Sequence, residues 1–112
     1  MFLRKNLWIA SVLMLTITGI RPALANENVS QWQCKAIGEN VGKTGPTYAS
    51  DIMRWPDDRF RIVERGSDYY TGENPDDPQT VWLDIYAVPN GHGNTFIGYL
   101  KKENFECIPF QG

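Results

Sequence analysis

The one histidine of this 112-residue chain, His92, stands in the run Asn90-Gly91-His92-Gly93-Asn94. An imidazole titrating near neutrality could act as a general base or a metal ligand. No second His or Cys stands at ligand spacing around it, so it reads as a polar turn residue. Ser67 could be drawn into a triad with His92 and an aspartate, but the strained nucleophile turn such chemistry needs has no counterpart here. Asp68, Glu73, Asp76 and Asp77 offer the oxygen donors that calcium prefers, at a spacing that matches no calcium loop. Asp57, Asp58 and Asp84 could be paired for glycoside hydrolysis, yet any small acidic protein offers such pairs. The expectation is a protein without catalytic residues, metal or cofactor.

Aromatic side chains carry more information. Tyr48, Tyr69, Tyr70, Trp82, Tyr86 and Tyr99 fall in turn-rich segments or on the outward phase of a strand, where a core does not require them. Exposed rings of this kind mark binding surfaces. Tyr48, Tyr69, Tyr70, Trp82 and Tyr99 are therefore the expected ligand-binding set. The alternative is that a second sheet covers these rings and makes them core. Arg59, Arg61 and Arg65 share a strand face with Val63 and can pair with acidic loop residues or grip a carboxylate.

The elements that would position these groups begin after an export leader. Residues 1–25 combine basic Arg4 and Lys5 with an apolar run from Leu7 to Ile20, which is too short to span a bilayer. Pro22 and then Ala23-Leu24-Ala25 suit a signal peptidase. The mature domain is expected over 26–112, secreted or periplasmic, with no stable membrane anchor. Removing Arg4, Lys5 and Arg21 with the leader leaves eight basic against thirteen acidic residues, a net charge of −5. Such a surface does not attract a phosphate backbone, so no nucleic acid is expected as a partner.

Cys34 and Cys107 are the only thiols. Export takes both to an oxidising compartment, where a lone pair bridges. Neither the short spacing nor the second ligand pair of a metal or redox site is present. One disulfide, Cys34 to Cys107, is expected. Its loop of 73 residues corresponds to roughly 4 kcal/mol in the chain-entropy account.

Period-2 alternation supplies the strands. Residues 31–37 set Trp32, Cys34 and Ala36 against Gln31, Gln33 and Lys35. Short apolar stretches predict further strands over 47–55 and over 59–65, the latter with Phe60 and Ile62 on the inner face. Residues 66–79 read as a solvated acidic loop. Residues 81–88 face Val81, Leu83, Ile85 and Ala87 inward and Trp82, Asp84 and Tyr86 outward. Asn90-Gly91 turns the chain into a strand over 95–101, and 103–110 adds a last one. Five or six short antiparallel strands predict an all-β fold, a small partly closed barrel stapled by one disulfide.

The order of these residues resembles the bacterial Src-homology-3-like domains of exported envelope proteins. The likeness lies in Gly45-Pro46 ahead of a short strand ending at Ile52, the strand from Phe60 to Val63, Trp82 opening a strand through Ile85, and Gly98-Tyr99-Leu100 with Phe105 five residues on. It covers 34–108. It departs from the family pattern at Lys35-Ala36-Ile37, at Asp57-Asp58 and in the length of 66–79. The resemblance implies a noncatalytic module that binds a cell-wall peptide or glycan, or a protein, through loop aromatics. A small exported enzyme inhibitor of the lysozyme-inhibitor kind is the alternative that size, compartment and a single disulfide also suit.

Overall fold

The computed structural model describes residues 29–111, so the expected leader over 1–25 and the expected mature start lie outside the described residues. The described chain is all-β, with β1 (Gln31–Ala36), β2 (Asn40–Val41), β3 (Ile62–Val63), β4 (Asp68–Thr71), β5 (Trp82–Tyr86), β6 (Phe96–Lys101) and β7 (Phe105–Phe110). Among the described residues, helical geometry occurs only as 3-10 turns at Gly93–Thr95 and Lys102–Asn104.

Five strands form one antiparallel sheet in the order β6-β5-β4-β1-β7, while β2 and β3 pair by themselves. The two edge strands of the large sheet, β6 and β7, are joined by only the three residues of the Lys102–Asn104 turn. Four flat inter-strand spacings would set these edges about 19 Å apart. Four residue steps reach at most about 14 Å. The sheet therefore curls until its edges approach at one end, where the Ile37 amide at the end of β1 donates to the Asn104 carbonyl at 2.8 Å. β6 and β7 share no ladder, so this is a curled open sheet and not a closed ring.

The concave side is filled by Trp32, Cys34, Ala36, Val63, Tyr69, Leu83, Ile85, Ile97, Leu100 and Phe105. The alternation read in 31–37 and the inward phase of Leu83 and Ile85 hold. Cys34 and Cys107 sit directly opposite in the β1–β7 register and are bonded, clipping a central strand to an edge strand. The free edge of β7 carries Pro109, which has no amide hydrogen to offer another strand.

Four expectations are overturned. Residues 47–55 form no strand, because the chain there doubles back in tight turns and contributes only isolated bridges, Lys43 with Ile52 and Arg54 with Phe60. The 59–65 strand shrinks to Ile62–Val63 with its phase reversed, since Val63 is fully buried and Phe60 is 46% exposed. Phe60 is left outside to receive the Arg54 guanidinium, 4.5 Å from its ring centre. The supposed loop 66–79 opens with β4, the middle strand of the sheet, which was hidden by its brevity and its polar flanks. At the ends of the 81–88 strand, Val81 and Ala87 are exposed rather than inward.

The segment from β2 to β3 hooks onto the open edge of β6. Lys43 and Tyr99 exchange amide hydrogen bonds, at 3.0 Å to the Tyr99 carbonyl and 2.9 Å to that of Lys43. Gly98 permits this approach. It has φ 138° and lies where the β5–β6 register slips by one residue, and a Cβ there would meet the Gly42 Cα at 2.7 Å. The same slip turns Ile97 into the core beside Leu100.

Candidate functional site

On the convex side of β5 and β6 the register sets Trp82 opposite Lys101, Asp84 opposite Tyr99, and Tyr86 opposite Phe96. Two clusters result. One is a chain of rings in which Tyr86 and Phe96 lie 5.1 Å apart and Phe96 and Tyr99 5.5 Å apart. On the far side Tyr70, paired with Tyr86 across β4 and β5, meets Phe110 at 5.1 Å. Burial raises the Tyr86 phenol above its ordinary range, helped by the negative charge of Asp84 and a hydrogen bond to it.

The second cluster is built at the hook. Because Lys43 is pinned to Tyr99, its side chain lies under the 44–51 loop, where the ammonium donates to the Tyr48 carbonyl at 3.0 Å and the Ser50 carbonyl at 3.5 Å. Within that loop the Ser50 amide closes a turn on Thr47, and the two hydroxyls are 2.9 Å apart. The loop carries Tyr48 over β5, its ring edge-on to Trp82 with centres 5.3 Å apart at 74°. Lys101 completes the group. Its ammonium donates to the Tyr48 hydroxyl at 2.7 Å and lies 4.7 Å from the Tyr48 ring centre and 5.8 Å from that of Trp82. The hydrogen bond to Tyr48 raises the Lys101 ammonium above its ordinary range against the opposing effect of desolvation, with the charge of Glu103 adding to the rise, so it stays cationic. Tyr48 remains 70% exposed.

Between these side chains lies a cleft of about 90 Å³, walled by Lys43, Tyr48, Trp82, Tyr99 and Lys101 together with Asn40 and Asn104. Among the described residues no acidic side chain lines it. Lys101 also borders a larger groove of about 430 Å³ with Pro75, Pro78, Val81 and Phe105 on its walls. A paired set of exposed rings beside two cations can hold an anion next to an apolar body by cation–π, stacking and charge-assisted hydrogen bonds.

No family model, curated protein or solved structure matches the chain.

Of the five rings expected to bind, Tyr48, Trp82 and Tyr99 meet at this cleft. Tyr70 stands apart, stacked on Phe110. Tyr69 is a correction: it is 8% exposed and packs edge-on to Phe105, and its hydroxyl accepts the Glu64 amide at 2.8 Å. A loop tyrosine would be free, whereas Tyr69 belongs to the inner face of a central strand. Lys43 and Lys101 were missed. Their partners lie far off in sequence, and the only signal was that Lys101 shares the outward phase of its strand with Tyr99.

The other candidates resolve into structural duties. Asp57 holds the Arg59 guanidinium at 2.6 Å, which lowers the Asp57 carboxyl below its ordinary value, and Asp58 faces Arg54 at 3.5 Å. Asp84 accepts the hydroxyl of fully buried Thr71 at 2.6 Å and the Gly72 amide at 3.3 Å. In the acidic segment Asp68 pairs with Lys35 at 3.5 Å and Asp77 receives the Gln79 amide at 2.9 Å. Among the described residues no three His, Cys, Asp or Glu side chains gather as metal ligands. Arg61 gives its guanidinium to the Arg54 and Phe96 carbonyls at 2.9 and 2.6 Å and covers the Trp55 ring at 4.2 Å. Arg59 is held by Asp57 and Arg65 is exposed, so the three arginines do not form one grip.

Proposed function

We infer that this is an exported, noncatalytic binding module that takes a cell-wall component or a protein partner on the convex face of β5 and β6. The observation that carries the reading is the edge-on Tyr48–Trp82 pair with Lys101 between the rings. Its rings are not needed by the core, which is complete on the concave side, and exposed aromatic surface of this kind is the usual material of binding hot spots. The Cys34–Cys107 bond supports export, because such bonds persist in oxidising compartments. No described helix is long and apolar enough to cross a membrane. The resemblance to Src-homology-3-like envelope domains agrees with a binding role, as does the curled sheet with a loop laid across its edge.

Sedimentation with insoluble peptidoglycan, and recovery of stoichiometric complexes from the exported fraction, test the reading. Capture that is lost on Trp82→Ala in a folded protein supports it. A complex that silences a lysozyme or protease would make the module an inhibitor. Capture indifferent to both Trp82 and Tyr48 would remove the convex face from the mechanism.

A further inference from the structure

We propose that the Tyr48–Trp82–Lys101 cleft recognises a carboxylate of a peptide, an acidic residue whose apolar neighbour lies in the adjoining groove. This rests on the binding reading above and specifies its ligand.

The sign of charge comes first. Among the described residues the ion pairs are Lys35 with Asp68, Arg54 with Asp58 and Arg59 with Asp57. Lys43 and Lys101 form none, although the charge of Glu103 reaches Lys101. Both face one cleft with no described acidic side chain on its wall, in a chain whose acidic residues outnumber its basic ones by 13 to 11. An ammonium has three donors. Lys101 spends one on the Tyr48 hydroxyl, and Lys43 spends two on the Tyr48 and Ser50 carbonyls. Two donors on Lys101 and one on Lys43 stay available, held in place by bonds that already fix both side chains. That preorganisation suits a small anion with two oxygens.

Size and shape select among anions. The cleft of about 90 Å³ has room for a carboxylate with a methylene or two. A sugar would need an open ring face to stack on. Tyr48 and Trp82 instead stand edge to face at 74°, with the Lys101 ammonium against them.

Continuity supplies the rest of the ligand. Lys101 lines the larger groove as well, where Pro75, Pro78, Val81 and Phe105 provide apolar wall and Val81 is 46% exposed. Glu103 borders that groove beside Lys101 and Lys102, so its charges are mixed, whereas the described charged residues of the cleft are Lys43 and Lys101 alone and draw a ligand's negative end there. An apolar side chain next to the acidic one would cover Val81.

The experiment titrates the purified, oxidised protein with a capped Leu-Glu-Leu peptide, its Leu-Gln-Leu isostere, and the uncharged saccharide di-N-acetylchitobiose, following assigned indole and side-chain NMR signals. The expected result is a saturable shift of the Trp82 indole and the Lys101 signals with the Glu peptide. Binding should be about tenfold weaker for the Gln peptide, and weaker by a similar factor in Lys101→Met and in Lys43→Met, each shown folded by its spectrum. Lys35→Met, whose ammonium lies outside the cleft, should bind as the parent does. Equal binding of the Glu and Gln peptides overturns the proposal, as does a response mapped away from the cleft. Saturation by di-N-acetylchitobiose, which has no carboxylate, overturns it in favour of a saccharide. If Trp82→Ala abolishes capture of wall or partner while Lys101→Met does not, the binding module stands and the carboxylate specificity falls.

Discussion

The concave and convex faces of the β5–β6 pair are made by alternate residues of the same two strands, yet they obey different rules. Inside, Leu83, Ile85 and Leu100 are fully or almost fully buried and chemically uniform. Outside, Trp82, Asp84, Tyr86, Tyr99 and Lys101 are half-exposed and each has a distinct partner. The inner face fixes the fold through volume. The outer face holds particular atoms at particular places, and the price in stability of altering them should fall steeply from the strand centre to the cleft.

The largest contrast is expected from Leu83→Ala, which removes a fully buried side chain and leaves a cavity. It should cost roughly 2 to 5 kcal/mol in urea unfolding. Gly98→Ala attacks the seam between the faces. With φ at 138° and the Gly42 Cα in the way, it should cost on the order of 1 to 3 kcal/mol and loosen the Tyr99–Lys43 pair, seen as faster amide exchange at both residues. Asp84→Ala tests whether an outward residue can act as core. It strips the buried Thr71 hydroxyl of its acceptor and should cost about 1 to 3 kcal/mol, whereas a freely solvated Asp84 would give almost nothing. The smallest stability change belongs to Lys101→Met, expected within about 0.5 kcal/mol of the parent although ligand capture drops. A loss as large as that of Leu83→Ala would erase the distinction between the faces.

Alkali sharpens the same comparison. The folded protein holds the Tyr86 proton more tightly than the unfolded chain, whose phenol titrates near 10.0. The corresponding stability is complete below that pH and is lost as pH rises through the higher folded value. Tyr86→Phe should flatten this alkaline decline, read from melting temperature against pH, and a slope unchanged by the substitution would assign it to other groups.

Alternation made the inner face of β1 and β5 legible in the sequence, because Trp32, Cys34, Leu83 and Ile85 recur at period two among polar residues. Where inner positions are filled by polar or aromatic side chains, the pattern fails. β4 places Tyr69 and Thr71 inside, each satisfied by a hydrogen bond from or to a distant residue, so a strand core was indistinguishable from a polar loop. In 59–65 the apolar residues divide between both faces, and only the pairing of β3 with β2 selects Val63 over Phe60. Tyr48 and Trp82 could be named from the sequence as exposed rings, but their meeting depends on Lys43 reaching the edge of β6, a long-range backbone pairing that local spacing does not encode.

The bond between Cys34 and Cys107 also has a mechanical meaning. β1 and β7 are antiparallel, with Gln31 opposite Phe110, so the outer ends of both strands leave the sheet side by side. A pull on those two ends would peel the ladder open one pair at a time instead of shearing it. Peeling would pass Gln31–Phe110, Trp32–Pro109 and Gln33–Ile108 and then stop at the covalent link. An oxidised domain tethered at both ends would yield about three residues of slack on each strand under load, while the β5–β6 face beyond the link stays folded.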